Sequence, residues 1–112
     1  MEKQFTQDYV AKIEKLMEEE TVLEALAKAA DKADVVKVFA ENDVEMDEDM
    51  AQEIYTKVHA IGENGELDAD MLDAVNGGVI TELGAAVMIG AGIVTFYITV
   101  KVGCWIVKKI FK

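Results

Sequence analysis

Apolar residues return at helical rather than alternating intervals through the first sixty positions of the chain. Phe5, Tyr9, Val10, Ile13, Leu16 and Met17 fall on one face at 3.6-residue spacing, with Thr6 placed as N-cap, and predict a first helix. The run Glu18-Glu19-Glu20 closes that helix poorly, because acids oppose the negative end of its dipole. Thr21 and Glu24 have capping-box spacing and predict a second, Ala-rich helix over 23–30. Asp34 is placed to cap a third, bearing Val35, Val38 and Phe39 and ending near Asn42. Asp47 is placed to cap a fourth, with Met50, Ile54, Tyr55, Val58 and Ile61 on its stripe and Gly62 as its stop. Neither a Pro nor an alternating Val, Ile and Thr run occurs before residue 79, so no strand is expected there.

Residues 62–65 read as a flexible joint. Asp68 then opens a last short helix over 69–76, with Leu67 stapled onto Leu72 and Gly77-Gly78 as its end. Taken alone, that glycine pair is an ordinary helix stop. The tail beyond it differs in kind. Residues 83–100 are eighteen positions without a charge, close to the length that spans a bilayer. Gly84, Gly90, Gly92 and Gly103, with Ala85, Ala86 and Ala91, give this segment the small-residue texture of membrane helix contacts. Lys101, Lys108 and Lys112 lie on one helix face with Lys109 beside them, and Tyr97 and Trp105 fit the headgroup level; these lysines and Trp105 are the candidate membrane-binding residues. A competing reading of the same pattern is a buried helix over which the preceding helices fold. The fold class expected is all-α: short amphipathic helices that are partly disordered when free, because helices of this length are marginal alone, plus one hydrophobic C-terminal helix.

Charge sharpens the division. Residues 1–78 carry 21 acidic side chains against seven lysines, a net of −14, while residues 79–112 set Glu82 against four lysines, a net of +3. Sign and hydropathy change together at 78/79, which divides the chain into an acidic part, 1–78, and a hydrophobic cationic part, 79–112. An acidic surface with no Arg offers nothing to phosphate, so nucleic acid is not an expected partner. His59 and Cys104 are the sole histidine and cysteine and there is no Ser, which leaves no triad, no disulfide and no Cys-based metal site. No enzyme activity, catalytic residue, metal or cofactor is expected. Residues 1–20 are acidic and lack an apolar run, so they do not form an N-terminal secretory signal.

The functional signal lies on the boundary itself. Leu67, Met71, Leu72 and Val75 are four, one and three residues apart, which lines them along one helix face that a shallow hydrophobic groove can grip. Gly77 and Gly78 follow, and lacking Cβ atoms they fit a cleft walled tightly around a scissile bond. Here the chain resembles a known group. Residues 66–78 look like the double-glycine leader ending of bacteriocin and modified-peptide precursors: Leu67, the cap Asp68, Leu72, the aliphatic Val75, then Gly77-Gly78. The family commonly has Glu where this chain has Met71, and Ser where it has Asp68. The longer stretch 1–61 resembles, more diffusely, the nitrogen-fixation-related long helical leaders of ribosomally made, post-translationally modified peptides.

The resemblance implies a mechanism. A cysteine-peptidase domain of an ABC transporter would grip Leu67, Met71, Leu72 and Val75, cut Gly78–Val79, and export residues 79–112. ATP and Mg²⁺ would belong to the transporter. The precursor would stay in the bacterial cytoplasm, its leader keeping the cargo soluble and inactive, and the mature cargo would be secreted. Two cargo readings stand: a membrane-active antimicrobial that binds bacterial membrane, or a peptide in which a leader-dependent modifying enzyme dehydrates Thr95 or Thr99 and Cys104 closes a thioether. With Thr81, Thr95 and Thr99 the cargo's only hydroxyl residues besides Tyr97, heavy modification is not expected. The alternative from another class is a tail-anchored membrane protein with a helical interaction domain and a permanent C-terminal anchor. A further alternative is a small helical protein whose tail is its own core helix.

Overall fold

The structure, a computed structural model, describes residues 4–65, 67, 69 and 88–109, with side chains described for 8–63, 67, 69 and 94–109. Among the described residues it is mostly helical. Helices α1 (Gln7–Leu16), α2 (Glu20–Ala27), α3 (Lys32–Ala40) and α4 (Glu48–Asn64) precede a 19-residue helix α5 (Ala91–Lys109). Apart from Ala69, which is helical and exposed, the expected helix over 69–76 lies outside the described residues, as do Met71, Leu72, Val75, Gly77, Gly78 and Val79, the start of the apolar run at 83–87, and Lys112.

The amphipathic stripes do what their spacing predicts. Val10, Ile13, Leu16 and Met17 of the first helical region are buried, as are Met50, Ile54, Val58 and Ile61 on α4, with Val35 and Phe39 of α3 fully enclosed. Their partner is the correction. The stripes do not close only on one another; those of α4 and α2 close on α5. Val94, Thr95, Tyr97, Ile98, Thr99, Val100, Val102 and Ile106 are all buried, which covers most of the helix circumference. A helix apolar on all sides must be covered on all sides, by lipid or by protein. Here α4 lies along α5 and α2 packs against it as well, while α3 backs α4. Among the described residues no helix is long and apolar enough to cross a membrane.

Several boundaries differ from those the sequence predicts, each for a local reason. The first helix ends just before Glu18-Glu19-Glu20, but these acids do not serve as its close. α1 stops at Leu16, and the acids lead into α2, where the positive end of the dipole favours them. Thr21 is accordingly inside the first turn of α2 and not its cap; Glu19 holds that position without a side-chain bond. In α3 the cap is Asp31, not Asp34. The Asp31 carboxylate accepts the Asp34 N–H at 3.1 Å, and the Asp34 carboxylate accepts the Ala30 N–H at 2.9 Å, so the two acids share the task. Asp47 caps α4 as expected, accepting the Asp49 N–H at 2.8 Å. α4 runs through Gly62 and stops at Gly65, whose φ of 77° is the left-handed conformation a helix end requires.

A strand also appears where none is expected. β1 (Gln4–Thr6) pairs antiparallel with β2 (Met88–Gly90), Phe5 standing opposite Ile89. Three residues on each side join the start of the described chain to the segment that leads into α5.

Candidate functional site

The candidate surface is the seam between α5 and the helices that cover it. Midway along, Thr95 donates its hydroxyl to Glu53 Oε2 at 2.9 Å, and Lys57 Nζ stands 3.7 Å from the other oxygen of that carboxylate. One turn on, Thr99 donates to the Thr95 carbonyl at 2.7 Å. Both threonines are buried, at 3% and 0% exposed. The two residues proposed for dehydration are therefore packed inside the seam with their hydroxyls engaged. Cys104, the proposed ring-closing thiol, is half-buried. Burial pushes its thiol up, against an opposing pull from Lys101 and Lys108, so it is a poorer nucleophile than a free thiol.

The cationic end of α5 is engaged by α2. Lys109 Nζ lies 3.1 Å from Glu20 Oε1, and Trp105 donates its indole N–H to the same oxygen at 3.3 Å. Lys109 and then Trp105 hold the Glu20 carboxyl below the usual carboxylate range. The pair is solvent-exposed, which limits what it adds to stability and makes it sensitive to salt. Lys101 sits 5.6 Å over the Tyr97 ring. Tyr97, expected at a lipid headgroup level, is instead 3% exposed, and its hydroxyl is pushed up to about 12 by burial, then by Glu14 and Glu18. Lys108 is exposed. Two of the expected membrane-binding residues, Lys109 and Trp105, thus face an acid of the N-terminal part, and Lys101 caps an aromatic ring.

At Gly103 the seam is close-packed. A Cβ added at Gly103 would stand 2.7 Å from Ile61 Cδ1 and 2.7 Å from Leu67 Cδ2, so only a glycine lets both side chains seat here. Leu67 is 8% exposed. It is the one residue of the expected recognition face whose position is described, and it spends its side chain on α5. Gly103 reads in the sequence as part of a membrane-contact texture; the close approach it permits is to protein. Glu20 and Glu53 carry no sequence signal that separates them from the other acids, because their role is set by which residues of α5 arrive opposite them.

His59 is exposed on α4, where it stacks on Tyr55 with ring centroids 5.4 Å apart and pairs with Glu63 at 3.1 Å. Among the described residues no group of three or more His, Cys, Asp or Glu side chains is placed to hold a metal ion. Comparison with known proteins finds no matching family model, no matching curated protein and no matching solved structure.

Proposed function

We propose that the chain is the precursor of an exported bacteriocin-like peptide. Residues 1–78 are its leader and residues 79–112 its cargo. A peptidase-containing ABC transporter grips Leu67, Met71, Leu72 and Val75, cuts after Gly78 and exports the cargo, which acts on bacterial membranes. The reading is carried by one coincidence: the aliphatic ridge and Gly77-Gly78 stand where charge and hydropathy both reverse. The burial of α5 under the N-terminal helices supports it, because a cargo meant for membranes needs covering until export.

Cutting a chain between two packed parts has a definite physical consequence. While joined, leader and cargo meet at an effective concentration in roughly the millimolar range. Once the Gly78–Val79 bond is gone, their contact becomes bimolecular and dilution favours separation. The freed helix then exposes its apolar circumference, and Lys109 loses Glu20. Each of the four lysines near an anionic bilayer contributes about 1 kcal/mol. The burial of Thr95 and Thr99 and the raised Cys104 thiol favour a cargo exported without a thioether. The second reading, a small helical protein that keeps all 112 residues, draws on the same burial and predicts a mature form still carrying residues 1–78.

The test is to incubate the full chain with a double-glycine peptidase domain and weigh the products. A fragment ending at Gly78 is expected, and Gly77→Val and Leu72→Asp should each abolish it while leaving helicity by circular dichroism nearly unchanged. An intact chain, or cuts elsewhere, contradicts the reading.

A further inference from the structure

Leu67 has two uses that exclude each other. In the precursor reading, on which this inference rests, its side chain enters a groove of the peptidase. In the folded chain the same side chain fills a notch on α5 formed by the missing Cβ of Gly103, beside Ile61 at the end of α4. A side chain that is 8% exposed is not on offer to a second surface. We propose that the Gly103 notch is a latch: it withholds Leu67 from the peptidase, so the leader is recognised only when its grip on the cargo helix opens at this point.

The geometry favours a latch over a passive contact for two reasons. First, the notch lies on the cargo, at residue 103, whereas the residue it holds lies on the leader side of the cut, at 67. Docking Leu67 therefore joins the recognition segment to the part that is to be released. Second, the helix stop at Gly65, with its left-handed φ of 77°, directs the chain from the end of α4 to position 67 two residues later. Withdrawing Leu67 requires no rearrangement of α4, since Ile61 stays on its own helix. The free energy that seats Leu67 in the notch is subtracted from the affinity of the peptidase. A precursor that is competent only when unlatched binds with an apparent dissociation constant raised by the inverse of its unlatched fraction. The same coupling runs the other way: a peptidase that captures Leu67 vacates the notch and loosens α5 before the bond is cut. Recognition and the start of cargo release become one event.

The experiment compares the full chain with Gly103→Ala, Gly103→Val and Val35→Ala as substrates of a double-glycine peptidase domain. Each melting temperature is measured alongside. A Cβ at 103 meets the far ends of Ile61 and Leu67, so Ala is expected to displace Leu67 in part and the bulkier Val to displace it further. Val35 is buried on α3, away from the notch, and its truncation lowers stability without touching Leu67. The latch predicts cleavage after Gly78 that quickens from parent to Gly103→Ala to Gly103→Val, by about tenfold at the last step and through KM rather than kcat, with Val35→Ala unchanged. If all four chains are cut after Gly78 at one rate, or Val35→Ala gains as much as Gly103→Val, the latch is wrong and the precursor reading stands. If none is cut after Gly78, both fall.

Discussion

Helices α4 and α5 are of similar length, 17 and 19 residues, and they pack against each other, yet they ask different things of their surroundings. α4 is amphipathic. Its stripe is buried, while Gln52, Glu53, Thr56, His59 and Ala60 are exposed. α5 has no comparable wet face between 94 and 103, where all but Phe96 and Lys101 are buried. The difference teaches what an unbroken apolar segment specifies. It demands cover without saying which cover, and lipid and the acidic helices α2 and α4 both answer. Here the cover is protein, and the acids of that cover reach the cationic end of the helix through Glu20.

Matched substitutions on the two helices break or sharpen this contrast. The largest effect is expected for Ile98→Asp. The site is 0% exposed, and an unpaired carboxylate there should cost on the order of 5 kcal/mol, comparable with the whole stability of a small domain. Ala60→Asp on the exposed side of α4 should stay within about 0.5 kcal/mol of the parent in urea unfolding. If the two variants behave alike, α5 is not enclosed as described. The middle effect separates the two helix glycines. Gly103→Ala pushes the terminal methyls of Ile61 and Leu67 aside, and after the gain a helix makes on losing a glycine the net cost should be about 1 kcal/mol. The smallest effect has the opposite sign: Gly62→Ala places its Cβ in open space within a helix and should stabilise by about 0.5–1 kcal/mol. Two identical substitutions with opposite outcomes would locate the seam at 103, and equal outcomes would remove it from there.

Much of α4 is legible in the sequence. Its cap Asp47 and its stripe from Met50 to Ile61 follow from spacing alone, because both are local. The end is misplaced by three residues, since Gly62 tolerates a helical conformation and only Gly65 needs the left-handed one. At α3, Asp31 and Asp34 are both caps by type, and choosing between them requires knowing that Ala30 also donates its N–H to Asp34. The ladder of β1 and β2 has no signature at all, because it joins residues 84 positions apart through backbone groups. The seam is legible only in half. The need to cover 91–109 is visible in composition; that Glu20, Glu53, Ile61 and Leu67 supply part of that cover is a property of three-dimensional register, which no pattern along the chain encodes.

The most direct measurement is native-state hydrogen exchange on the intact 112-residue chain. An α5 enclosed by the N-terminal helices must exchange its amides at 94–102 only through global opening, with the same free energy as the buried stretch of α4 and the same response to urea. Should the α5 amides exchange through a separate, cheaper opening while α4 stays protected, the N-terminal helices do not hold the C-terminal one, and the account fails.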